Sequence, residues 1–174
     1  MTAPEFSRAR RLDQIGAGET TLEISADAGE RAALAERFGL LAIDSLEARF
    51  AIRRDAMDIR ATGHLSARVI QACVASHEPV PATVEEDFDL RFLPEGEPEG
   101  DEVELSEAEC DTAFYTGGAI DLGEAAAETL ALALDPFPRS PDAEKALKAA
   151  GVVGEDEVGP FSGLAALRDK LGKN

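Results

Sequence analysis

Three consecutive stretches of the chain alternate apolar and polar residues with a period of two, the pattern of strands buried on one face. In Ser45 to Arg53, Leu46, Ala48, Phe50 and Ile52 alternate with Ser45, Glu47, Arg49 and Arg53. From Asp58 onward, Ile59, Ala61, Leu65, Ala67 and Val69 fall on one side, and Arg60, Thr62, His64, Ser66 and Arg68 on the other. Gly63 interrupts this second run and predicts a bulge or a close backbone approach. The third run keeps Val80, Ala82, Val84, Phe88, Leu90 and Phe92 in phase, with Glu86 as its misfit. Pro79 and Pro81 cannot donate ladder hydrogen bonds, so that run is expected to start at a sheet edge. Short connections between the three runs predict an antiparallel meander with one polar side.

Helical signals flank this sheet. A short strand is predicted at Thr20 to Ser25, followed by a helix opened by Asp27 and Glu30 as a capping box and closed by Gly39. Leu34 and Phe38, four apart, would dock it. The residues before it, to Gly18, read as an arm with Pro4 and the basic cluster Arg8, Arg10 and Arg11. Order is expected to resume at Ala113 to Ile120. Asp121 and Glu124 predict a second capping box, opening a helix whose stripe is Leu122, Ala126, Leu130, Ala133 and Leu134 and which Asp135-Pro136 ends. Ser140-Pro141 predicts a short helix to Gly151 with proline at its first position. A loop to Pro160 and an amphipathic segment, Phe161 to Leu171, would complete the chain. The expected fold class is α+β: an antiparallel β-meander sheet packed with helices, with an acidic mobile loop before the C-terminal helices. It reads as a single domain over 1–174, with a flexible N-terminal arm (1–18), an acidic mobile insertion (94–112) and a C-terminal helical part (121–171).

Charge changes this picture most. The chain has 35 acids against 17 bases and a formal charge of −18 over 174 residues. Between Glu85 and Asp111 thirteen acids face one base, Arg91, so this segment holds −12 of the −18. Its centre, with Glu95, Glu97, Glu99, Asp101, Glu102 and Glu104 among Gly96, Pro98 and Gly100, has too little apolar content to offset its ordering entropy. Nucleic acid binders gain affinity by neutralising phosphates, so broad duplex binding is disfavoured. Acidity can serve solubility alone, or it can attract a basic partner. Arg49, Arg53, Arg60 and Arg68 all fall on the polar strand faces. They form either a basic patch able to contact RNA or, as the favoured alternative, cross-strand pairs with Glu47 and other acids.

Membrane and secretory signals are weak. The most apolar helical stretch, Ala125 to Leu134, spans ten residues and contains Glu128, against about 20 for a membrane span. The arginines near the start are followed by Asp13 and Gln14 rather than an apolar run. Two cysteines, Cys73 and Cys110, read as free thiols of a cytoplasmic protein.

Candidate chemistry is sparse. Cys73 precedes His77 by four residues, but no orienting residue or oxyanion turn accompanies them, so a Cys73-dependent hydrolase is disfavoured against a core thiol at a strand end. His64 reads as a solvated residue of the polar face. Zinc needs about four thiolate or imidazole ligands, and Cys110 has no nearby companion. Neither a calcium loop of regularly spaced aspartates nor a phosphate-binding G-x-x-x-x-G-K-S/T loop is present. No enzymatic activity, cofactor or metal is expected.

Two segments carry a family resemblance. Gly63-His64-Leu65-Ser66-Ala67-Arg68-Val69-Ile70-Gln71-Ala72-Cys73, continuing to Glu78-Pro79-Val80, is similar to the core of the large ribosomal RNA subunit accumulation family, also called YceD-like. Gly118-Ala119-Ile120-Asp121-Leu122-Gly123-Glu124, running through Leu130, Leu132 and Leu134 to Asp135-Pro136, resembles it too. The opening Pro4-Glu5-Phe6-Ser7-Arg8 and the acidic spacer resemble the alphaproteobacterial branch. The resemblance implies a non-catalytic role in ribosome biogenesis, supporting accumulation of large-subunit rRNA. The partner expected from the charge is a basic ribosomal or assembly protein, with direct rRNA contact through the strand-face arginines as the alternative. One departure stands out: many relatives have a close cysteine pair where this chain has Cys73-Val74-Ala75-Ser76, and more cysteines where it has Pro136 to Pro141. If those cysteines hold metal in relatives, this chain is expected not to.

Overall fold

The computed structural model describes residues 4–55, 58–95 and 111–152. The chain divides into two compact units, one of Met1–Gln71 with Pro81–Pro136, the other of Ala72–Val80 with the chain from Phe137 onward. The α+β class holds: the structure is a mostly antiparallel five-stranded sheet accompanied by helices.

The larger unit is built on strands β2 (Thr20–Ser25), β3 (Ala42–Arg54), β4 (Ile59–Ala72), β5 (Pro79–Pro94) and β6 (Asp111–Tyr115), in that spatial order. β2 and β3, and β3 and β4, pair antiparallel. Side-chain pairs from β4 to β5, Arg60 with Asp89 and His64 with Glu85, run in opposite directions along the two strands, as antiparallel neighbours require. The meander is thus longer than the periodicity marked, because a strand continues wherever its ladder is satisfied even after the apolar alternation fades. β6 was not foreseen as a sheet member; it pairs parallel with β5 over Leu90–Pro94.

One face of the sheet is the core. Leu46, Phe50, Ile52, Leu65 and Val69 are fully buried with Leu34 of helix α1 (Ala28–Phe38) and Leu122 and Leu130 of helix α2 (Leu122–Ala133). Phe50 and Phe88 meet with ring centroids 4.8 Å apart at 50°. Gly63 lies opposite Phe50 in the ladder. A Cβ placed on it would stand 1.9 Å from the Arg49 carbonyl oxygen and 2.6 Å from the Phe88 ring. Gly63 is therefore the close approach; the register shift lies instead in β3, between Ile43 and Ser45.

The residues expected as an N-terminal arm include strand β1 (Ala9–Arg11), which pairs antiparallel with β7 (Ala119–Asp121) in a separate two-stranded sheet. Phe6 is fully buried. Its backbone passes so near the start of α2 that a Cβ on Gly123 would lie 2.4 Å from the Phe6 carbonyl oxygen. A basic, proline-bearing composition hid one aromatic anchor whose burial repays the ordering of this segment.

Capping follows the expectation at α1 and departs from it at α2. Asp27 accepts from the Glu30 amide at 2.9 Å, while the Glu30 carboxylate accepts from the Asp27 amide at 2.8 Å. Asp121 caps α2 by accepting from the amides of Gly123 and Glu124. The Glu124 side chain does not return to close a box. It takes a two-pronged bond from Arg37 of α1, at 2.7 and 3.0 Å, because a guanidinium fork offers a carboxylate more than a single amide does.

In the smaller unit, helix α3 (Ala143–Ala149) begins after Pro141 rather than at it, with Asp142 at the N-cap. Gly151 takes the left-handed conformation just beyond its end. The segment Phe161 to Leu171, the centre of the acidic insertion and Cys110 lie outside the described residues. Replacing Gly63 with alanine is expected to lower unfolding stability by about 1–3 kcal/mol, the usual cost of overpacking, measured as a drop in the urea midpoint with an unchanged slope.

Candidate functional site

The uncovered face of the sheet carries all four arginines singled out from the sequence. Arg60 Nε reaches Asp89 Oδ1 at 2.9 Å, and a second guanidinium nitrogen holds the other carboxylate oxygen. Arg49 pairs with Glu23 at 3.6 Å and Arg53 with Asp55 at 3.5 Å. Arg68 donates to the Ser45 hydroxyl at 3.1 Å. The carboxylates engaged are Glu23, Asp55 and Asp89, rather than Glu47. Arg49, Arg53 and Arg60 are thus each paired with an acid, while Arg68 meets a hydroxyl.

His64 stands at the centre of this face, where Nδ1 meets Asp87 at 2.7 Å and Nε2 meets Glu85 at 2.8 Å. Glu85 also accepts from the Ser66 hydroxyl at 2.8 Å. The hydrogen bonds to Asp87 and then Glu85 hold the imidazole pKa above its ordinary value. Period-two alternation put His64 on the polar face, but the two carboxylates come from the next strand, and only the ladder register brings them opposite. His64, Ser66, Arg49, Glu47 and Glu23 line a shallow depression of about 430 Å³.

Of the acidic residues singled out, Glu95 is described. It is exposed, and its amide donates to the Tyr115 carbonyl at 2.9 Å, where β5 leaves the sheet. Glu97, Glu99, Asp101, Glu102 and Glu104 lie outside the described residues.

The smaller unit surrounds Cys73, a fully buried thiol at the end of β4, the position expected of a core cysteine. Its sulfur accepts from the amides of Ser140 at 3.3 Å and Ser76 at 3.4 Å. The hydroxyls of Ser76 and Ser140 both donate to Glu78 Oε2, at 3.0 and 2.9 Å. Bonds from Ser140, then Ser76, outweigh burial and draw the Cys73 thiol down to about 6. The Ser140 bond was not legible beforehand, because Ser140 is 67 residues away in sequence and becomes a neighbour only through folding. A zinc ion would require about four thiolate, imidazole or carboxylate ligands. Here Cys73 and Glu78 stand with two hydroxyls that already donate to Glu78, so the donor set does not fit one. Among the described residues no cluster of three or more His, Cys, Asp or Glu is arranged to hold a metal, and no helix is long and apolar enough to cross a membrane.

Two titrations check this geometry. The His64 pKa is raised on folding, so its clamp stabilises fully below the unfolded imidazole pKa and loses that contribution as pH rises through the folded value. Urea midpoints of wild type and His64→Ala, compared from about pH 5 to pH 8, should converge toward the alkaline end. For Cys73, the thiolate absorbance present in wild type and missing from Cys73→Ala should rise with a midpoint near pH 6 in the folded state. An unperturbed thiol titrates near about 8.5.

Comparison with known proteins adds one positive finding. Searches of the curated proteins and of the solved structures each returned no match. The family model described as "Large ribosomal RNA subunit accumulation protein YceD" matches residues 61–168, from within β4 through the helices that follow the sheet, and covers more than half of the chain. With the two resembling segments both inside that match, the chain belongs to the YceD family, whose description ties it to accumulation of large-subunit ribosomal RNA.

Proposed function

We propose that this protein is a non-catalytic factor in large-subunit assembly that supports rRNA accumulation by binding a basic ribosomal or assembly protein. The observation that carries the reading is the placement of charge: −12 of the net −18 lies between Glu85 and Asp111. The arginines of the uncovered face are held by carboxylates and a hydroxyl of their own chain, so they offset little of that field toward an incoming partner. A polyanion meeting this surface must displace those pairs, whereas a basic protein gains attraction and faster encounter. Such a factor works in the cytoplasm, needs no cofactor, and has Cys73 as a structural thiol rather than a nucleophile.

Affinity purification from growing cells, with attached proteins and RNAs identified together, tests the reading. Basic large-subunit or assembly proteins are expected in the eluate, with a yield that falls as salt rises. Deleting Glu95 to Glu104 should lower that yield severalfold; an unchanged yield would overturn the role of the acidic segment. Recovery of rRNA without a basic protein, abolished by charge reversal at Arg49, Arg53, Arg60 and Arg68, would assign the direct contact to RNA instead.

A further inference from the structure

His64 is held from both sides by β5: Nδ1 lies 2.7 Å from Asp87 and Nε2 2.8 Å from Glu85. A neutral imidazole carries one N–H and one bare lone pair. It could serve one of these carboxylates, and would turn its lone pair on the other. The two short contacts together therefore require the imidazolium, which donates from both nitrogens. Distance alone sets that requirement, and the raised pKa of His64 agrees with it.

The two carboxylates are not equally held. Glu85 also accepts from the Ser66 hydroxyl, through its other oxygen, at 2.8 Å. Asp87 has no second partner among the described residues, and its side chain is 90% exposed. When the proton on Nδ1 leaves, His64 still donates from Nε2 to the anchored Glu85, and the contact that opens is the one to Asp87. The cations around the imidazole have contacts of their own. Arg49, directly opposite on β3, reaches Glu23 of β2. On β4 itself, Arg60 holds Asp89 and Arg68 donates to Ser45. Glu47, the remaining acid beside them, lies opposite Ser66.

We infer that His64 is a proton-operated cover for Asp87: the imidazolium keeps the carboxylate engaged, and loss of one proton to solvent frees it for an arginine or lysine side chain of a basic partner. Proton and partner then compete, and each lowers the affinity for the other by the same factor. Binding of a cationic segment strengthens as pH rises through the His64 titration, because this face gains one negative charge and one free acceptor. A polyanion would respond in the opposite sense. For its ligand this rests on the reading that the partner is a basic protein; the cover itself stands on the two contacts of His64.

The test uses the full chain and a short oligoarginine peptide, whose charge is constant between about pH 5.5 and pH 8.5, with affinity read by fluorescence anisotropy at low salt. Asp87→Asn should weaken binding about threefold more at the higher pH than at the lower, the worth of one exposed ion pair. Glu86→Gln, one position along β5 and on its other side, removes the same charge and should cost equally at both. With His64→Gln in place, the cost of Asp87→Asn should no longer depend on pH. Cys73, which also gains charge over this range, acts on wild type and variants alike. The His64 pKa, followed by the NMR signals of its ring protons and assigned with His77→Gln, should fall when the peptide is added. An equal cost of Asp87→Asn at both pH values, or a His64 pKa that saturating peptide leaves unmoved, would overturn the inference. A pH-dependent contact at Asp87 with no basic protein recovered from cells would remove the proposed function and leave this cover standing. Recovery of a basic protein, with no pH dependence in the cost of Asp87→Asn, would do the opposite.

Discussion

Phe88 packs obliquely on Phe50 in the space that Gly63 leaves free, and the register of the central strands depends on that contact. A shift of one residue in β4 would turn Ile59, Ala61, Leu65, Ala67 and Val69 toward solvent and bury Arg60, His64 and Arg68. It would also bring a side chain into the place of Gly63, against backbone that cannot yield. Apolar burial supplies most of the driving force and is tolerant of detail. The glycine makes one alignment fit and its neighbours clash. Once β3, β4 and β5 are aligned, the partners on the opposite face are fixed as well, so the Arg60–Asp89 pair and the His64 clamp follow from core packing.

Around that sheet, the remaining elements of the larger unit are tied by charged forks. Arg8 grips Glu30 at 2.7 and 2.9 Å, and Glu30 at the same time caps α1. Arg37, on α1, holds both Glu5 and Glu124. These groups are only partly exposed, where a bidentate pair is stronger than an open surface contact. Asp121 joins the same network by capping α2 and accepting from the Arg8 amide at 2.8 Å. The N-terminal residues are held at both ends of this arrangement, with Phe6 buried between them. An acidic chain thus spends several of its few arginines internally.

That use of arginine bears on function. A surface suited to RNA needs cations left over after internal pairing. In this protein the described arginines of the sheet face are engaged, while acids crowd the middle of β5 and the segment after it.

Periodicity and capping chemistry made much of the larger unit legible before any coordinates. The three alternating runs, β2, the capping box of α1 and the extent of α2 depend on residues near one another in the chain, and local physics suffices for those. The arginines were placed on one face for the same reason. What remained hidden depends on distance in sequence. Strand β1, the parallel pairing of β6 and the burial of Phe6 need partners more than a hundred residues away or a strand of unexpected direction. The Glu124 side chain was assigned to its own helix because a capping box is a local pattern; Arg37, 87 positions away, took it instead. Cys73 read as a buried thiol from its phase alone, but its low pKa is made by the Ser140 amide 67 positions later. Alternation thus determined which residues turn inward, and only the folded register decided which charges meet outside.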